Sequence, residues 1–168
     1  MRASTRKKKY LVAETAFRLF RERGYDNVSV DDIIAATGTS KGTFYHYFKS
    51  KDELLGELPL RQLAVLEQWA KRRSPLRIRS LETHLLELFL DLGSVLEPVP
   101  RVVLHLAAVS ADQPYLRRLQ SRLRAALLDE LIRWLGDRDK AAFLLAVYDG
   151  TVAAWLNGEG ASLEELLR

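Results

Sequence analysis

Cysteine is absent from this chain of 168 residues, which excludes disulfide frameworks, thiolate metal sites and cysteine nucleophiles. A cysteine-free chain fits a reducing cytoplasm, where we expect it to work. Long apolar runs are missing too. The longest, Ala141 to Leu156, spans 16 residues and contains Asp149 and Gly150, whereas a bilayer span takes about 20 apolar residues. A buried core or interface helix suits that stretch better, and no membrane partner is expected. The basic N-terminus (Arg2, Arg6, Lys7, Lys8 and Lys9) is followed by no uninterrupted apolar signal core. Asparagine occurs only at Asn27 and Asn157 and methionine once, a composition compatible with a thermophile.

Catalytic signatures are lacking as well. His46, His84 and His105 lie far apart without the spacing of a metal site such as HExxH, and neither GxSxG nor a phosphate-binding glycine loop occurs. We therefore expect no enzyme, no metal and no cofactor. Strand signals are almost absent: no period-two alternation is sustained, and no Asn-Gly or Asp-Gly turn joins β-branched runs.

What is present is helical periodicity and an uneven charge. Hydrophobic residues at 48% and charged ones at 29% allow a real core without disulfides or metals. Residues 1–56 hold 11 Lys+Arg against 7 Asp+Glu, and the remaining residues hold 15 of each. The whole excess of +4 thus sits in the first third. A basic head on a neutral body points to a polyanion, with a merely solvated tail as the alternative.

The first helix is expected over about Thr5–Arg23, with Val12, Ala16, Leu19 and Phe20 on one face and Gly24 as its stop. Ser29 caps a short helix, Val30–Thr37, whose Asp31 and Asp32 suit a helix N-terminus. Gly38 ends it, and a third helix runs from Lys41 to about Phe48. Ser50 caps a fourth, expected to reach Arg72 with a kink at Pro59. Ser74-Pro75 breaks the chain. Further helices are expected at Leu76–Leu96, Arg101–Ala111, Pro114–Leu135 and Arg138–Leu156, bounded by Pro98, Pro100 and Pro114. The fold class is all-α: an N-terminal three-helix helix-turn-helix head on a C-terminal antiparallel helical bundle. The expected domains are residues 1-50, the basic head, and 51-168, the neutral body.

The segment Ser29 to Phe48 reads SVDDIIAATGTSKGTFYHYF, two short helices around a turn that contains Gly38. A DNA-reading helix-turn-helix sets its second helix in the major groove and braces it with the first. At 100° per residue, Phe44 and Phe48 fall together and point inward toward Ile33, Ile34 and the first helix. Gly42, Thr43 and His46 point the opposite way, and Tyr45 and Tyr47 lie on the flanks. Small and polar groups thus face the groove floor while two phenols reach toward phosphate walls. Lys41, Lys49 and Lys51 stand near helix termini, where phosphates are accessible.

The stretch Ala13 to Leu55 closely resembles the N-terminal domain of the TetR (tetracycline-repressor-like) family. The matching elements are Ala16-Phe17-x-Leu19-Phe20, Gly24-Tyr25, Val30, Ile33, Gly38, Ser40 through Phe48, Lys51 and Leu54-Leu55. Thr37 and Thr39 replace the apolar residues usual beside the turn glycine. The resemblance implies an all-α dimeric regulator, usually a repressor that leaves its operator when a small ligand binds the C-terminal domain. It implies DNA contacts at Ser29, Lys41, Gly42, Thr43, Tyr45, His46, Tyr47 and Lys51, with added phosphate contacts from Arg6 to Lys9.

Nothing in the body names a ligand. The helix from Pro114 carries Leu116, Leu119, Leu123, Leu127, Leu131 and Trp134 on one stripe, which we read as interface. The helix at 138–156 is apolar nearly all round and must be covered on several sides, by a second subunit or by its own chain. Ala146, Gly150 and Ala153 would permit close approach of a partner helix. The resemblance implies a homodimer through these two helices (114-135 and 138-156) in a four-helix arrangement. Two heads on a two-fold axis suit double-stranded DNA with palindromic half-sites about 34–36 Å apart. Trp69, His84, Phe89, His105 and Tyr148, bulky or polar groups on apolar helices, are candidate contacts for a small, largely apolar effector. A helical adaptor that never touches DNA is the rival reading, and salt-dependent binding to random duplex separates the two.

Overall fold

A computed structural model describes residues 3–71, 81–96, 98–158 and 162–167. Among these residues the chain forms helices and no strand. They are α1 (Ala3–Arg23), α2 (Val30–Thr37), α3 (Lys41–Tyr47), α4 (Lys51–Leu55), α5 (Glu57–Lys71), α6 (Leu81–Ser94), α7 (Pro100–Ser110), α8 (Pro114–Leu135), α9 (Arg138–Leu156) and α10 (Leu163–Leu167). Within the described residues no helix is long and apolar enough to cross a membrane.

The chain divides into two compact units. The first joins Met1–Glu57 to a remote segment, Val99–Arg117. Here Val12, Ala16, Leu19 and Phe20 of α1 are buried, together with Ile33, Phe44, Phe48, Leu54 and Leu55. α7 packs on α1 and α4 in the same unit and buries Val102, Val103 and Leu106. The second unit comprises Leu58–Pro98 and Arg118–Arg168. Its core gathers Leu66, Trp69, Leu85, Leu88, Phe89 and Leu92 with Leu127, Leu131, Leu145 and Tyr148. α10 packs on α6 and α9, with Leu163 buried against Gly93, where an added Cβ would come within 2.9 Å of the leucine.

Three expectations need correction. The helix expected from Ser50 to Arg72 is two helices, interrupted at Gly56, whose N–H turns back to the Glu53 carbonyl at 3.1 Å. Pro59 makes no kink, because it falls in the first turn of α5, where a missing N–H leaves no helical bond unmade. The leucine stripe of α8 is not a free interface: Leu116, Leu119, Leu127 and Leu131 are buried within the chain, and Leu123 packs at the core's margin. Periodicity reports that a face is covered and is silent about what covers it. Arg72, Ser74-Pro75 and the start of the helix expected at Leu76 lie outside the described residues, as does Arg2 of the basic cluster.

Candidate nucleic-acid interface

The short helices α2 and α3 are built by their caps. The Ser29 side chain accepts from the Asp32 N–H at 3.1 Å, and the Asp32 carboxylate accepts from the Ser29 N–H at 2.8 Å. This reciprocal pair satisfies two of the N–H groups that a helix start leaves open. Hydrogen bonds from the Ser29 hydroxyl and then its N–H hold the Asp32 carboxyl below the usual carboxylate range. Gly38 closes α2 at φ 63°, a conformation that a Cβ penalises. Thr37 and Thr39 fit this turn through hydroxyls: Thr37 Oγ1 donates to the Ile33 carbonyl at 2.8 Å and lies 2.8 Å from Thr39 Oγ1. Ser40 then caps α3, accepting from the Thr43 N–H at 3.1 Å.

The two faces of α3 differ sharply. Phe44 and Phe48 are buried, their ring centres 5.9 Å apart. Lys41, Gly42, Tyr45 and His46 are exposed, and Thr43 and Tyr47 are half-buried. Tyr45 keeps 45% of its surface, and its ring stands edge-on to Phe44 at 5.3 Å. Thr43 Oγ1 lies 2.9 Å from the Ser40 hydroxyl. Lys41 Nζ approaches Asp31 at 3.4 Å, but both side chains are largely in solvent, so water and salt leave that pairing weak. Gly42 is the informative position. A Cβ there would meet only Ser40 Oγ, at 4.0 Å, so the protein's own packing does not demand a glycine. A helical glycine costs about 0.5–1 kcal/mol relative to alanine.

Lys51 is held more firmly than the other basic residues. Its ammonium donates to the carbonyls of Tyr25 at 2.9 Å and Val28 at 3.0 Å, and lies 4.0 Å from the centre of the Tyr25 ring. Of the N-terminal cluster, Arg6, Lys7 and Lys8 are exposed, while Lys9 pairs with Glu57 at 2.5 Å and lies 5.1 Å from the Phe48 ring centre. Lys49 is exposed and its backbone N–H reaches Glu53 at 2.6 Å.

Four of the five effector candidates share the second unit. Trp69 Nε1 donates to Asp91 at 2.9 Å, and the His84 ring sits 4.6 Å from Trp69 and 4.2 Å from Trp134. Phe89 and Tyr148 stack at 4.8 Å and 19°. His84 Nε2 is buried with no hydrogen-bond partner among the described residues. The Tyr148 hydroxyl has Gln62 beside it yet completes no well-formed hydrogen bond there, and burial pushes its pKa up. His105 stands apart, in the first unit, with its ring 3.8 Å from that of Tyr25. The part played by Tyr25 was not legible in the sequence beyond its place after Gly24.

The fold and this exposed helix define an all-α protein built on a helix-turn-helix. Residues 12–58 match the family described as bacterial regulatory proteins, tetR family. Residues 12–58 are thus a helix-turn-helix domain of the TetR family. It is 32% identical over 90 residues to the transposon Tn10 TetC protein of Escherichia coli, covering 51% of this chain and 46% of that one. It is 46% identical over 50 residues to the HTH-type regulator YuxN of Bacillus subtilis, covering 30% and 17%. The chain thus spans less than half the length of these relatives. In fold it is similar to a TetR-family regulator from Syntrophomonas wolfei, with TM-score 0.70, 20% identity and coverage of 96% and 90%. It is also similar to a regulator from Saccharomonospora viridis in complex with choline, with TM-score 0.65, 24% identity and coverage of 96% and 92%.

Proposed function

We propose that the chain is a sequence-specific DNA-binding regulator that works as a homodimer, without a catalytic step. The observation that carries this reading is Gly42, exposed on α3 with open space where a side chain would stand. A glycine that folding does not require is explained if something outside the protein must approach the helix closely, as the floor of a major groove would. In this reading Gly42, Thr43 and His46 meet base edges. Tyr45, Tyr47, Lys41 and Ser29 meet the backbone, and Lys51 offers its third proton to a phosphate. Residues 1-50 form the DNA-binding part, and 51-168 serve dimerisation and effector binding.

The second copy is supported by α9, which exposes Phe143 at 67% and Val147 at 47% with Ala146, Gly150 and Ala153 between and beyond them. The effector is small and largely apolar, bound around Trp69, His84, Phe89 and Tyr148, and it releases a repressor from its operator. Such release requires that it bind the free and DNA-bound states unequally. A neighbour of the same fold is in complex with choline, which supports a small-molecule ligand for the fold without naming this one.

Selection from a random duplex library tests the reading. A palindrome with half-site centres about 10 base pairs or a multiple apart is the expected result, with affinity falling steeply as salt rises. Recovery of no consensus, with no duplex binding at low salt, would leave the adaptor reading in its place.

A further inference from the structure

In the first unit Lys51 belongs to a linked set of side chains, of which Tyr25, Asp52 and His105 have no part in the DNA contacts proposed above. Tyr25 follows α1, is buried, and donates its hydroxyl hydrogen to Asp52 of α4. Burial and the neighbouring Asp52 carboxylate push its phenol well above the ordinary range, so it stays neutral and keeps that proton to donate. Its ring meets three further groups: the imidazole of His105 at 3.8 Å and 32°, the ammonium of Lys51 at 4.0 Å, and the ring of Phe20 at 4.8 Å and 55°. Lys51 is also tied to the Tyr25 and Val28 carbonyls. The tyrosine is therefore the platform under a lysine, and the platform is held at its hydroxyl by Asp52 and at its ring by Phe20 and His105, of which His105 alone comes from outside the helix-turn-helix domain.

We propose that His105 is a positioning residue for Lys51, holding the Tyr25 ring so that the lysine's third N–H stays aimed at a DNA phosphate. The proposal rests on the DNA-binding reading above. The gain is entropic. A lysine side chain has about 2 kcal/mol of rotamer freedom to lose on being fixed, and that cost is lower when the surface beneath it is already rigid. His105 comes from α7, 80 positions beyond Tyr25 in the sequence, so an element outside the helix-turn-helix sets the geometry of one of its phosphate contacts. His105 touches no DNA in this arrangement. Its effect must pass through Lys51, and that makes it separable from a general loss of stability.

The test measures operator affinity across a salt series for the full chain carrying His105→Ala, His105→Phe, Lys51→Met and the pair His105→Ala/Lys51→Met. Each phosphate contact contributes about 0.9 to the slope of log affinity against log salt. Lys51→Met should lower the slope magnitude by about that much per head. His105→Ala should weaken binding about three- to tenfold, the range of one aromatic contact, and lower the slope in the same direction. His105→Phe, which keeps a ring on Tyr25, should bind within about twofold of wild type. The paired variant should bind no more weakly than Lys51→Met, because the two act in series. Loss of folded protein alone would shift apparent affinity and leave the slope unchanged.

A wild-type slope for His105→Ala, additive losses in the paired variant, or a His105→Phe protein as weak as the alanine variant would each overturn the proposal. Should His105→Ala fail to fold, His105→Leu, which fills the space without an aromatic ring, takes its place and must lower the slope as the alanine variant would, while His105→Phe keeps the wild-type slope. If wild-type protein ignores duplex DNA at low salt, it is the DNA-binding reading that fails first, and this proposal falls with it.

Discussion

Helices α3 and α9 solve opposite problems. α3 has seven residues and buries Phe44 while showing solvent Lys41, Gly42, Tyr45 and His46. α9 has 19 residues and leaves Phe143 67% exposed, with Ala142, Ala146, Val147 and Gly150 also on the surface. One helix keeps its grease inside and offers small, polar and basic groups; the other offers grease. An exposed large side chain taken singly means little, but a stripe at helical spacing marks a contact surface. On the function proposed above the two surfaces take different partners: a hydrated polyanion on α3, and an apolar helix of a second copy on α9.

Breaking the α9 surface should have the largest consequence. Phe143→Glu together with Val147→Glu places two charges where the partner's apolar side chains would pack, and neither side chain belongs to the monomer's buried core, Phe143 being 67% and Val147 47% exposed. Sedimentation should show one chain of 19.2 kDa instead of two. Operator affinity should fall about 10²- to 10⁴-fold, as expected when two linked heads become independent, while the melting of the monomer stays cooperative. A variant that sediments as wild type would show that α9 is not the joining surface.

The α3 surface is tested at Gly42. Gly42→Leu starts its side chain in open space on the exposed face of α3, since a Cβ there meets nothing closer than Ser40 Oγ at 4.0 Å. Stability should hold or rise by a few tenths to about 1 kcal/mol, because leucine is the better helix former. Operator affinity should fall at least about tenfold, the cost of a lost base-edge contact, with circular dichroism unchanged. Wild-type affinity in this variant would place the DNA elsewhere. Together the two substitutions sharpen the contrast: one should abolish pairing of chains and spare the recognition face, and the other should do the reverse.

Much of this was legible in the sequence, for local reasons. The starts of α2 and α3 follow from Ser29 and Ser40, whose hydroxyls satisfy N–H groups three residues on. The inward pair Phe44 and Phe48 follows from a spacing of four. Gly56 did not announce a break, because a lone glycine inside an apolar pattern is as often tolerated as not. The α8 leucines showed a covered face and misled about its cover. The assignment of α7 to the first unit was invisible, since it rests on contacts between segments far apart in the chain. For the same reason Lys51 read only as a cation near a helix terminus within reach of phosphate, and the two backbone carbonyls and the ring that hold it were not foreseen. A lysine's type and position do not tell where its ammonium goes, and tertiary structure decides.

The smallest expected effect lies at the entry to the helix-turn-helix and concerns pH. Asp32 is exposed, and its carboxyl sits below the ordinary range chiefly through the Ser29 hydroxyl, then the Ser29 N–H, with Arg23 contributing less. A carboxyl that releases its proton more readily in the folded chain than in the unfolded one adds stability only where it is ionised. The contribution is complete above the unfolded carboxylate range, near pH 4, and disappears as pH falls through the lower folded value. Ser29→Ala removes the largest cause, so the difference in melting temperature between wild type and this variant should be greatest at neutral pH and shrink on acidification. Asp32→Asn should flatten the wild-type curve in the same window. The carboxyls of Asp137 and Glu165 are lowered too, through backbone hydrogen bonds at their own helix starts, so part of the acid loss must persist in both variants. A Ser29→Ala difference that stayed constant from neutral pH to about pH 3 would mean that the cap works through its neutral hydrogen bond to the Asp32 N–H alone.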